Sequence, residues 1–187
     1  NPIMFLLLMK TLFIHSKYTG KVDFDKIELD KLPGKVGLVT TTQFLDSIKE
    51  IKQHLERNNK SVLVGKGTQK NPGQLLGCDV NSAVKIKDDV DAYLYIGSGE
   101  FHPIGVALST EKEVFTFNPV TSTFSKLNEE EINNYKRNKK IKYTKFLSAE
   151  NIGILVSTKS GQNSYKKSLE IKEKLEKKGK KYFIFVF

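Results

Sequence analysis

A single cysteine, Cys78, stands in 187 residues. That scarcity excludes an internal disulfide and any self-contained four-ligand zinc site. It also suits a reducing, cytoplasmic compartment. Arginine is almost as rare: Arg57 and Arg137 are the two among 31 basic residues. With no aromatics interleaved among the lysines, the stacking platform of an RNA binder is not evident, and direct nucleic-acid binding is not expected. A long hydrophobic run is missing too. The apolar start, Pro2 to Met9, is far shorter than the roughly 20 residues of a spanning helix. No basic region precedes it and no small-residue cleavage site follows, so it reads as a buried strand and no membrane contact is expected.

What is present can build a core. Hydrophobic residues make up 39% and aromatics 10% of the chain, which fits a globular protein of one large domain or one domain plus part of another. Charge is uneven. Residues 1–125 carry 15 basic and 14 acidic residues, whereas 126–187 carry 16 and 7. Such a basic end can attract nucleic acid or an acidic partner, although a solvated, lysine-rich helix face accounts for it as well.

Short runs rich in Val, Ile, Leu and Phe alternate with helical patterns. Strands are expected at "KTLFIHS" (10–16), "KVGLVTT" (35–41), "SVLVG" (61–65), "DAYLYIG" (91–97) and "EVFTFN" (113–118). Phe44, Leu45, Ile48, Ile51 and Leu55 recur at helical spacing, with Asn58 and Asn59 placed to end that helix. A short helix is expected over about 103–109. Strands apolar on both faces and joined by helices predict an α/β fold, a small parallel β-sheet flanked by helices. From Asn128, a capping residue before the acidic turn Glu129–Glu131, a connecting helix is expected to about Leu147. Beyond it, "NIGILV" opens another strand–helix–strand unit, in which Gly153 falls where Gly37 stood and Gly179 stops the helix. The organisation expected is an N-terminal strand and connector (1–34), an α/β domain (35–127), a connecting helix (128–150) and a partial βαβ copy (151–187).

Two stretches draw chemical attention. In "AYLYIGSGEFHPIGVALS" a strand ends at Ile96, Gly97-Ser98-Gly99 make a turn, and Glu100 and His102 stand before Pro103. The carboxyl edge of such a sheet is where ligands bind, but a lone G-x-G lacks the third glycine of the dinucleotide fingerprint and is equally a tight connection. His102, preceding proline, is expected to be extended. It is a candidate base, substrate contact or structural histidine. Cys78 lies in the second stretch, "NPGQLLGCDV". It is a small buried hydrophobe, a nucleophile with His102 as its base, or a metal ligand whose fellow ligands lie outside the chain.

Read jointly, "TTTQFLDSIKEIKQHLE", "VGKGTQKNPGQLLGCDV", "AYLYIGSGEFHPIGVAL" and "VFTFNPVT" resemble the middle domain of the archaeal diphthamide synthesis family. The resemblance covers about residues 35–187. It implies one complete domain of a three-domain repeat, each domain giving one cysteine to a four-iron four-sulfur cluster. It implies S-adenosylmethionine at the cluster's open iron, cleaved to a 3-amino-3-carboxypropyl radical that adds to a histidine of elongation factor 2. Cys78 then matches the middle-domain ligand. Gly97, Ser98, Gly99, Glu100 and His102 match the loop facing the cluster cavity, and Gln162 matches a loop opening the third domain. Archaeal members are homodimers. The first and third cluster cysteines have no counterpart here, so the chain alone is expected to lack cluster and activity. The competing expectation is a non-catalytic nucleotide- or RNA-binding α/β module.

Overall fold

The computed structural model describes Ile14 and residues 16–77, 79–158 and 164–187. The strand expected over 10–16 lies outside these residues except for Ile14 and Ser16, as do Cys78 and Gln162. The chain forms two compact units, divided between Lys136 and Arg137.

The first unit contains β1 (Lys35–Thr40), α1 (Ile48–Arg57), β2 (Ser61–Leu63), α2 (Asn81–Val84), β3 (Ala92–Ile96), α3 (Phe101–Thr110), β4 (Glu113–Asn118) and β5 (Thr123–Lys126). Its sheet has the order β2-β1-β3-β4-β5. The first four strands are parallel, as expected, and β5 is antiparallel to β4. Strand alternation explains the two layers. Val36, Leu38, Leu94, Ile96, Phe115 and Phe117 share one core with Ile51 and Leu55 of α1. Val39, Tyr93, Tyr95 and Val114 face the other, with Ala83 of α2 and Val106 and Ala107 of α3. Helix α1 stops where its asparagine pair predicts: Asn59 takes a left-handed φ of 61°, and Asn58 Nδ2 donates to the His54 carbonyl at 2.8 Å. Strand β5 was not foreseen because its apolar content is Phe124 alone, stacked on Phe115 at 5.8 Å. It covers the β4 edge, which would otherwise be exposed.

Helix α4 (Glu129–Ser148) crosses the division. Asn128 Oδ1 accepts the Glu130 N–H at 2.9 Å, the cap expected for its acidic first turn. In the second unit β6 (Asn151–Val156) pairs in parallel with β7 (Lys181–Val186) around α5 (Tyr165–Glu176). Ile154, Val156 and Leu175 form its small core, while Leu155, Phe183, Phe185 and Phe187 are exposed. Among the described residues no helix is long and apolar enough to cross a membrane.

Gly37 and Gly153, matched in the sequence, sit in different surroundings. A Cβ on Gly37 would lie 2.5 Å from Tyr93 Cε1, and that ring is fully buried, its hydroxyl donating to the Ala83 carbonyl at 2.7 Å. A Cβ on Gly153 would lie 3.4 Å from the exposed Phe185 ring. Gly37→Ala is expected to destabilise the first unit by roughly 1–3 kcal/mol through overpacking. Gly153→Ala is expected to cost less, both read by urea denaturation.

Candidate functional site

Strand β1 leads through α1 to β2 on one side of the sheet, and β3 leads through α3 to β4 on the other. The carboxyl ends of β1 and β3 therefore flank a switch point, where loops diverge and leave a crevice. Both chemical stretches converge there.

Thr40, fully buried, ends β1. Its N–H donates to the Gly73 carbonyl at 2.9 Å and its carbonyl accepts the Leu75 N–H at 2.8 Å. Its Oγ1 donates to the Ile96 carbonyl at 2.7 Å. Gln74 adds ties, donating through Nε2 to Thr42 Oγ1 at 2.9 Å while its carbonyl accepts Ser82 Oγ at 3.1 Å. Leu76 and Asp79 then exchange N–H to carbonyl bonds, both at 3.0 Å, on either side of Gly77 and Cys78. The Asp79 carboxylate accepts from Thr68 Oγ1, from Gln69 Nε2 at 2.8 Å and from the Asn81 N–H at 2.9 Å. Burial alone would raise this carboxyl, but those hydrogen bonds bring it below the usual range.

From β3 the buried Gly97 donates its N–H to the Phe117 carbonyl at 3.0 Å. Gly99 takes a left-handed φ of 72°, which glycine adopts without strain. Ser98, Gly99 and Glu100 are exposed. Helix α3 starts at Phe101, two residues earlier than expected, so His102 is helical and not extended. The bias before proline yields because a first-turn proline lacks only an N–H that has no partner inside the helix. The His102 ring stacks on Tyr95, with centroids 6.1 Å apart and planes at 15°, and meets Phe101 edge-on at 5.5 Å. Burial pushes the imidazole below its ordinary value of 6.5, which keeps it neutral at pH 7.

Phe101 joins the two stretches. Its ring is 63% exposed, yet its Cε1 lies 2.7 Å from where a Cβ on Gly77 would stand. Gly77, the neighbour of Cys78, thus abuts the 97–102 segment. Glu100 faces a second acid from α4: the carboxyl of Glu100, then burial and the Glu130 charge, raises Glu131 above the usual carboxylate range. Glu131 Oε2 is buried without a hydrogen-bond partner. The pull between the two acids therefore does not rest on a formed bond at that oxygen. Among the described residues no cluster of three or more His, Cys, Asp or Glu could hold a metal. The thiol of Cys78, outside those residues, is the one thiol in the sequence.

Residues 8–187 match the family model of the diphthamide synthesis protein. The chain belongs to the diphthamide synthesis family. It is 34% identical over 161 residues to the 2-(3-amino-3-carboxypropyl)histidine synthase of Pyrococcus horikoshii, covering 85% of this chain and 45% of that one. The enzyme of the same name from Methanocaldococcus jannaschii is 31% identical over 166 residues, covering 82% and 42%. The crystal structure of Dph2 from Pyrococcus horikoshii with a 4Fe-4S cluster superposes with a TM-score of 0.76 at 34% identity, covering 85% of this chain and 46% of that one. The chain thus spans less than half the length of these relatives.

Within this family member the structure brings Gly97, Ser98, Gly99, Glu100 and His102 to one rim. Thr40, Gln74, Phe101 and Glu131 were missed. Phe101 had a readable signal, an aromatic beside a glycine turn. Glu131 had none, because its partner lies on another element.

The raised Glu131 sets a pH test. Its folded-state value lies above the ordinary 4.5, so the stabilising proton is fully held below that value and lost as pH rises through the folded one. Glu131→Gln is expected to raise the melting temperature at pH 7, with the gain vanishing below about pH 4. Thermal melts across that range check it.

Proposed function

We propose that this chain is part of an iron–sulfur transferase that moves the 3-amino-3-carboxypropyl group of S-adenosylmethionine to a histidine of elongation factor 2, the first step of diphthamide synthesis. The observation that carries the reading is the contact of Phe101 with Gly77, which sets the segment flanking the sole thiol against the Gly-Ser-Gly turn at the switch point. The relative with a 4Fe-4S cluster supports it from outside the chain.

Cys78 supplies one thiolate, and the remaining ligands come from residues outside this sequence, so the chain alone lacks cluster and activity. When bound, the cluster supplies an electron and an open iron for the sulfonium cofactor. Gly97, Ser98 and Gly99 let backbone approach the cofactor closely, and Gln162, outside the described residues, is a further candidate to bind it. Glu100 and the neutral His102 are the catalytic candidates: one is an anion beside the cationic sulfonium, the other an imidazole able to take a proton. The working enzyme is a cytoplasmic, archaeal-type homodimer acting on a protein substrate.

One observation favours the second reading, a nucleotide- or RNA-binding module. Contrary to the expectation from sequence, α4 exposes Tyr135, Tyr143 and Phe146 along the same helix as Lys136, Arg137, Lys139, Lys140, Lys142 and Lys145.

The test is anaerobic reconstitution with iron and sulfide of the polypeptide that carries these residues with their flanking sequence. Broad visible absorbance that disappears in Cys78→Ala is the expected result. Unchanged absorbance in that variant sinks the ligand assignment. RNA binding that weakens steeply with salt and ignores the substitution establishes the second reading instead.

A further inference from the structure

Tyr95 is fully buried at the end of β3, where burial pushes its phenol up to about 12 and keeps it a neutral donor. A buried tyrosine hydroxyl needs an acceptor. Thr41 lies alongside, but its Oγ1 is buried without a hydrogen-bond partner. The Ser98 carbonyl remains, accepting from Tyr95 Oη at 3.3 Å, a long bond. The phenol also occupies the space above Gly97: a Cβ there would clash with Tyr95 Oη and fall 2.6 Å from Cζ. Its ring face carries the His102 imidazole at 6.1 Å and 15°. One side chain therefore meets three features of the segment: Gly97, the Ser98 carbonyl and His102.

We propose that Tyr95 is the positioning residue of the 97–102 segment, its hydroxyl setting the path of the loop through Gly97 and Ser98 and its face setting the plane of His102. A residue that only filled the core would need no hydroxyl, and phenylalanine would serve. The end of the ring fills the space a side chain at 97 would need, and the hydroxyl adds the bond to the Ser98 carbonyl that phenylalanine would lack. The inference rests on the transferase reading only for what the segment faces.

The chain itself serves for the test, by amide hydrogen exchange and by the NMR signals of the His102 ring. Tyr95→Phe keeps the ring and removes the donor. Exchange at Gly97, whose N–H donates to the Phe117 carbonyl, is expected to quicken about twofold to tenfold, the range for one lost hydrogen bond, while the His102 ring shifts stay in place. Tyr95→Leu removes the ring, and the His102 ring protons are expected to lose the ring-current shift from the stack. Exchange in Tyr95→Phe equal to that of the unsubstituted chain overturns the proposal, as does a His102 signal unmoved in Tyr95→Leu. If Tyr95→Leu does not fold, the exchange in Tyr95→Phe decides alone. Neither measurement involves iron or S-adenosylmethionine, so failure here leaves the reconstitution result standing, and the reverse holds too.

Discussion

Three segments of the site are tied at Thr40. A buried backbone N–H and carbonyl must find partners, and at the end of β1 they find Gly73 and Leu75, while the side chain closes on Ile96. Without those bonds the segment before Cys78 would have no fixed relation to β3. The 97–102 turn would then close against nothing. Because Thr40 is fully buried, each lost partner would leave a buried polar group unpaired, an expensive outcome. The site is therefore organised from below, by backbone hydrogen bonding at a strand end.

Electrostatics at the rim follow the same economy of charge. Asp79 is ionised and satisfied by three donors, which pins the residues around the thiol. Half-burial against aromatic rings lowers the pKa of His102 and so favours its neutral form. Negative charge collects at Glu100 and Glu131, whereas the lysine excess lies in 126–187.

Much of this was legible beforehand. Strands β1, β3 and β4 announce themselves because parallel strands covered on both faces read as unbroken apolar runs, and α1 does so through Ile51 and Leu55 one turn apart. The Gly97-Ser98-Gly99 turn was legible as a strand-to-helix corner. What was not legible depends on particular hydrogen bonds and pairings, some local and some between strands. His102 adopts the helix because α3 begins earlier than Pro103 suggested. Strand β5 exists through its pairing with β4 and one aromatic stack. The four-residue α2 is anchored by the Asp79 carboxylate, a local cap that composition does not display.

The strands β6 and β7 are clad on one side by α5 and bare on the other, where Leu155, Phe183, Phe185 and Phe187 meet solvent. Two strands with a single clothed face have little cohesion of their own. One polypeptide thus holds parts of unequal thermal endurance, and whatever shelters those aromatic rings lends the weaker part a firmness it lacks alone.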